Sequence, residues 1–341
     1  LTGVHQEETI LLLAPDAFDP NHREILFVRQ PNEHLAIWEG HKLAKEQAVK
    51  ISGIKNVKWL SEFPVVFRQL MCELENVYLN TNEHQRADVT VGTRDARFIR
   101  GCQKRFPLHR YQRLAPLMHG LRAVKSPYEI DAIKAACNLT GKGFKRALKF
   151  VKPGVNEAEV EAVFAHEFIR HKGQFAYPPI IASGANNNIL HYGQNDQVCK
   201  KGDLLLLDVA AGLGNYMSDL TRTIPVSGRF TRRQKQVYNA VLRIFRAQVA
   251  ALVPGKTTKD LRTECEERTA KECVDLGLLK MSEIKKQKPD EPAVKKFFMH
   301  GVSHPIGLDV HDVTYNHLKI SPGWVLTVEP AIYIPPANFG V

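Results

Sequence analysis

A chain of 341 residues is long enough for about two domains. Its 44% apolar and 24% charged residues exclude a mainly disordered protein. Lysine and arginine exceed aspartate and glutamate by 47 to 36, a net charge of +11, but the excess is dispersed. The small clusters at Arg232-Arg233-x-Lys235 and Lys285-Lys286-x-Lys288 are not interleaved with aromatics, so nucleic acid is not an expected partner. No apolar run approaches the ~20 residues that span a bilayer, and no membrane partner is expected. No secretory pattern follows Leu1. The six cysteines are scattered without a Cys-x-x-Cys pair, which excludes a disulfide scaffold or zinc ribbon and makes the cytoplasm the expected location.

The first ~115 residues read as an α/β unit. Thr9-Leu13, Glu24-Val28 and Val77-Asn80 have strand length, and residues 43–51 have helical spacing. A second unit, from about residue 118 to 341, is announced by Ser126-Pro127, an N-cap serine with proline at the first helical position. Ile130, Ile133, Cys137, Phe144 and Leu148 share one face of the helix that follows, which ends before Pro153-Gly154. Asn156 and Glu159 have capping-box spacing and open a second helix with Val160, Val163, Phe164 and Phe168 inward. Helices are predicted again from Thr231 to Val253 and from Thr258 to Leu278, with β-rich segments at 180–226 and 297–334. The second unit is therefore α+β with antiparallel strands.

Four segments carry candidate chemistry. Leu204-Leu-Leu-Leu-Asp208 and Tyr216-Met-Ser-Asp219-Leu-Thr-Arg-Thr223 flank the turn-like Gly212-Leu-Gly-Asn215. A hairpin folded about the middle of those four residues sets Asp208 directly opposite Asp219, with Cβ atoms ~4.5–5.5 Å apart. Two facing carboxylates repel unless a cation lies between them, and a metal pair ~3.5–4 Å apart suits that separation. His300-Gly-Val-Ser-His304-Pro-Ile-Gly-Leu-Asp-Val-His311-Asp312 places three histidines within twelve residues. Its glycines and proline forbid a helical zinc motif, so His300 and His304 share a face of an extended segment and His311 joins them only by a bend at Gly307. Val325-Leu-Thr-Val-Glu329-Pro-Ala-Ile-Tyr333 sets an acid in an apolar strand, a costly position for anything but a ligand. Ile189-Leu-His191-Tyr192 adds a lone histidine after an asparagine-rich loop.

In this order the motifs resemble aminopeptidase P, the Xaa-Pro aminopeptidase branch of the pita-bread metallopeptidases. Leu1-Thr-Gly3, Ala36-Ile-Trp38-Glu-Gly40 and Arg122-x-x-Lys-Ser-Pro127 have counterparts there, so the resemblance spans nearly the whole chain. It implies a pita-bread catalytic domain over residues 118–341 after a smaller amino-terminal domain over 1–115. It implies two divalent ions, manganese first, with zinc or cobalt as alternatives. Asp208 binds one ion, Asp219 bridges both, and His304 and Glu329 hold the other. His191, His300 and His311 line the cleft, with Tyr333 at the proline pocket and Trp38 near it. The implied reaction is water attack on the bond between a first residue and proline, Glu329 handling the proton and His300 or His311 steadying the oxyanion. Substrates are peptides with an Xaa-Pro amino terminus, and the expected assembly is a homodimer or homotetramer. Rival readings are a prolidase, confined to dipeptides, and a non-catalytic pita-bread binding protein. The family draws a fifth ligand, a bridging glutamate, from a strand past the Glu-Pro-x-x-Tyr segment. With Val341 as the last residue, that strand is expected to belong to a longer protein, and four ligands alone are expected to hold one ion firmly.

Overall fold

The computed structural model describes residues 2–81, 83–84, 89–288, 291–315 and 317–341. The chain divides into two compact units, Leu1–Pro116 and Leu117–Val341; Leu1 itself lies outside the described residues. Among the described residues no helix is long and apolar enough to cross a membrane.

In the first unit, Glu24–Val28 is the middle strand of three, antiparallel to Ile10–Leu13 and parallel to Val57–Trp59. Its alternation splits the apolar residues between two faces. Ile25 and Phe27 meet Val66 and Leu70 of the helix Phe63–Glu73, while Leu26 and Val28 meet Ala48 and Ile54. A separate parallel pair, Asn76–Leu79 with Arg110–Arg113, completes the unit's strands among the described residues.

The second unit is built on the four-leucine run. Leu204–Asp208 is the central strand of a three-stranded antiparallel sheet, with Thr221–Pro225 on one side and Ile180–Ser183 on the other. Helices cover both faces, which is why the run is apolar at every position. Leu205 and Leu207 pack on Phe144, Val160, Phe164 and Phe168 from the helices Pro127–Phe150 and Glu157–Arg170. Leu204 and Leu206 pack on Val237, Ala240, Ile244 and Leu261 from the helices Arg232–Ala251 and Thr258–Asp275. Each leucine buried this way contributes about 1.5–3 kcal/mol of transfer free energy. The expected Asn156–Glu159 capping box forms, and the expected Ser126 cap forms as well, completed into a box by Glu129. Gly143 lets the first helix pair approach, since a Cβ there would stand 2.8 Å from the Phe164 ring.

Two expectations need correction. Asp208 pairs with Thr221, not with Asp219. The hairpin turns on Gly214 and Asn215, both left-handed at φ +58° and +68°, so Leu213 pairs with Tyr216 and Gly212 stays inside the strand. A two-residue turn of that handedness matches the twist of the flanking strands, and it moves the register by two residues. Because side chains alternate with a period of two, Asp219 still shares a face with Asp208, but diagonally. The segment 297–334 is also less regular than expected. Residues 302–306 run antiparallel to 325–329 through Glu329 N–H to Val302 O (2.8 Å), Thr327 N–H to His304 O (3.0 Å) and Ile306 N–H to Val325 O (3.2 Å). Among the described residues there, only Pro305 with Leu326 forms a bridge, and the strand is Tyr333–Ile334. Gly301, Pro305 and Gly307 supply a broken hydrogen-bonding edge.

Candidate metal centre

Even-numbered residues of the central strand face the second helix pair, so Asp208 ends the row begun by Leu204 and Leu206. Asp219 follows Ser218, which is tied down by a buried hydroxyl relay. Ala211 N–H donates to Thr140 Oγ1 (2.8 Å), Thr140 O–H to Ser218 Oγ (2.7 Å), and Ser218 O–H to Ala211 O (2.7 Å). The long helix thus holds the strand next to Asp219. Tyr177 joins the two aspartates: its hydroxyl lies 2.5 Å from Asp208 Oδ1 and 3.0 Å from Asp219 Oδ1. Burial first, and then the two carboxylate charges, push the Tyr177 hydroxyl well above its ordinary pKa, so it stays a donor.

His304 comes to the same place from the antiparallel pair 302–306 with 325–329. Its Nδ1–H donates to Pro305 O at 2.9 Å, which turns Nε2 toward Asp219 Oδ2 (3.2 Å) and Glu329 Oε1 (2.9 Å). Asp219, His304 and Glu329 each offer a ligand atom within 4.8 Å of the others. Asp208 stands outside that trio, linked to it by Tyr177. Glu329 Oε1 is buried and has no aligned hydrogen-bond donor among the described residues. An acceptor so placed, beside an imidazole whose second nitrogen is already fixed, is what a divalent ion would satisfy. Three carboxylates and one imidazole suit an oxygen-preferring divalent ion, and a metal fits the residues present.

The charges inside the centre follow from crowding. Burial, opposed by the Tyr177 hydrogen bond and aided by the Asp219 and Glu329 charges, raises Asp208 to about 7. Burial also works against charge on His304, yet Asp219 and Glu329 outweigh it and lift the imidazole to about 10. Burial disfavours the Glu329 carboxylate, but contact with His304 holds it below its ordinary value. Without metal, His304 is therefore the internal counter-ion. A ligand must shed that proton, so metal binding should strengthen as pH rises from 6 to 8. Calorimetric titration with Mn²⁺ at pH 7 is expected to release protons, chiefly that of His304, with a further contribution from Asp208. Equal heats in buffers of low and high ionisation enthalpy would contradict this.

Residues 131–341 match the model of metallopeptidase family M24, and residues 1–78 match the aminopeptidase P amino-terminal domain. The chain belongs to family M24. It is 34% identical to the Xaa-Pro aminopeptidase of Escherichia coli over 98% of this chain and 77% of that one. It is 32% identical to human Xaa-Pro aminopeptidase 3 over 98% of this chain and 66% of the relative. Among solved structures, Pseudomonas aeruginosa aminopeptidase PepP superposes with a TM-score of 0.88 at 28% identity, covering 100% of this chain and 80% of that one. Zinc-substituted E. coli aminopeptidase P in complex with product does so at 0.85 and 32% identity, with the same coverage. The M24 chain is thus a metal-dependent aminopeptidase of the Xaa-Pro type, with the catalytic fold expected from the motifs, and the prolidase and binding-protein readings are not favoured.

The expected site residues fall into three sets. Asp208, Asp219, His304 and Glu329 gather around Tyr177. His311 joins His304, the rings 4.3 Å apart and nearly perpendicular, so the chain does bend near Gly307. His300 pairs instead with Tyr333: its Nδ1–H donates to Gly301 O (2.7 Å) and its Nε2 accepts from the Tyr333 hydroxyl (3.1 Å). Burial lowers the His300 pKa and keeps it neutral. His191 is exposed on the turn before Tyr192, outside these ring contacts, and Trp38 is 78% exposed on the helix Glu33–Glu39 of the first unit. Tyr177 was not foreseen. The only signal was a hydroxyl in Ala176-Tyr177-Pro178-Pro179 just before a strand, which periodicity does not single out.

Proposed function

We propose that the protein works with two divalent ions, manganese first and zinc or cobalt as alternatives, that Asp208, Asp219, His304 and Glu329 are ligands to them and by themselves hold one firmly, and that the protein removes the first residue from peptides with proline second. The observation that carries this is His304 Nε2 aimed between Asp219 and Glu329 with its other nitrogen fixed on Pro305. When bound, such ions supply Lewis acidity, lowering the pKa of water and polarising the scissile carbonyl. Glu329, kept ionised, is placed to take the proton of the attacking water. His311 is the better donor to the developing oxyanion, because Nε2 of His300 already accepts from Tyr333. His191 lines the cleft from its turn. Buried Tyr333 walls the proline pocket, and Trp38 adds an apolar surface for substrate. Proline gives the selectivity a physical basis: the Xaa-Pro bond is a rigid tertiary amide without an N–H.

The same proposal divides the chain into an amino-terminal domain over residues 1–115 and a catalytic domain over 118–341. It includes a homodimer or homotetramer, supported by large apolar side chains left exposed on the first unit, among them Phe18 at 92% and Leu108 at 95%. It also includes a cytoplasmic location, supported by six cysteines that form no disulfide. The test is hydrolysis of an Xaa-Pro-Xaa tripeptide after loading with Mn²⁺ and after chelation. Activity should require the metal, and Tyr333→Ala should lower the kcat/KM ratio of Xaa-Pro to Xaa-Ala peptides by about tenfold. A chelator-resistant reaction would remove the metal, and an unchanged ratio would remove Tyr333 from the pocket.

A further inference from the structure

Asp312, at the end of the histidine-rich segment, is buried, and two cations distant in sequence converge on it. Lys125 Nζ lies 3.0 Å from Oδ2, both side chains 1% exposed. Arg122 reaches Oδ1 and also Asp309 Oδ2 at 2.6 Å. A dry ion pair is a poor source of stability, because desolvating two ions consumes most of their attraction and an apolar pair of similar volume often holds a fold as well. Its geometry points to another use. Asp312 N–H donates to Pro305 O at 2.9 Å, the same oxygen that accepts from His304 Nδ1–H. Closing the loop 305–312 therefore sets the carbonyl that aims His304 Nε2 at Asp219 and Glu329. His311, immediately before Asp312, lies against the His304 ring.

The loop leaves no slack. A Cβ on Gly307 would collide with the Asp312 carboxylate and stand 3.0 Å from Lys125 Cε. Lys125 is itself anchored, its N–H donating to Gly323 O at 2.8 Å. It directly precedes Ser126, the cap of the helix that holds Ser218 beside Asp219. The ion cluster thus joins the elements carrying two members of the candidate ligand trio.

We propose that Lys125, Asp312 and Arg122 form a positioning clamp for the metal centre, acting through Pro305 on His304 and through the loop on His311. The proposal rests on the reading of His304 as a ligand and His311 as a substrate-facing group. In the full chain, Lys125→Met and Asp312→Asn are each expected to weaken Mn²⁺ binding by about 10–100-fold, the range for lost outer partners of a metal ligand. At saturating Mn²⁺ both should lower kcat on an Xaa-Pro-Xaa tripeptide more than they change KM. The double variant should be little worse than either single one, because both break the same contact. Gly307→Ala keeps every charge yet displaces the carboxylate, and should show the same pattern. Arg122→Gln, at the more exposed edge, should give a smaller shift in a protein that still folds. Mn²⁺ affinity and kcat within about twofold of the parent, with only a lower Tm, would reduce the clamp to a structural contact. A His304→Ala variant that binds Mn²⁺ as tightly as the parent would overturn the ligand reading itself, and with it the route through Pro305.

Discussion

Asp219→Asn is expected to abolish peptidase activity while leaving the fold in place. The amide keeps the shape of the carboxylate and can still accept from Tyr177, so what disappears is charge at the point where Tyr177 and His304 both approach. Two consequences follow. In the metal-free protein the protonated His304 loses one of the two anions that sustain it. In the loaded protein, a residue proposed to hold metal would become a neutral, weaker ligand. We expect kcat/KM to fall by more than about 100-fold, beyond the loss typical of an outer partner, with metal content reduced in step. Circular dichroism should be unchanged, because Leu204 to Leu207 and their covering helices do not depend on that charge. Wild-type turnover in Asp219→Asn would end the metal assignment.

The parts of this site that local chemistry determines are the parts that could be read in advance. Leu204 to Leu207 could only be a strand covered on both faces, and capping residues marked where the first two helices of the second unit begin. Asp208 and Asp219 were placed on one face correctly even though their pairing was not, because a slip of two residues preserves the face. The slip itself turned on whether the hairpin centres between Leu213 and Gly214 or between Gly214 and Asn215; the second choice puts two residues that tolerate positive φ at the turn and leaves Gly212 in the strand against Met217. Tyr177, the Thr140–Ser218 relay and the Lys125–Asp312 pair were invisible for a different reason. They link residues 31 to 187 positions apart, and no periodicity or spacing encodes such contacts. The segment 297–334 was read as more strand-like than it is because alternation survives there while ladder bonds are interrupted.

The largest separation of roles is expected between two histidines whose rings touch. His304 fills the space between Asp219 and Glu329, and removing it leaves two carboxylates whose oxygens lie within 4.8 Å and lack their counter-ion. Like charges that close cannot both stay ionised without a cation, so the metal-free His304→Ala protein should take up protons on its carboxylates and melt earlier than the parent. Its Mn²⁺ affinity should drop by more than about 100-fold, since a ligand rather than an outer partner is lost. His311 packs edge-on against the His304 ring and is not one of the trio. His311→Ala should therefore bind Mn²⁺ within about twofold of the parent while kcat falls by about 10²–10³, the cost of losing one oxyanion donor. Calorimetry on both variants, paired with kcat at saturating metal, separates the cases. If His311→Ala sheds metal as readily as His304→Ala, His311 is a ligand, and the oxyanion must find its donor in His300 once Tyr333 releases it.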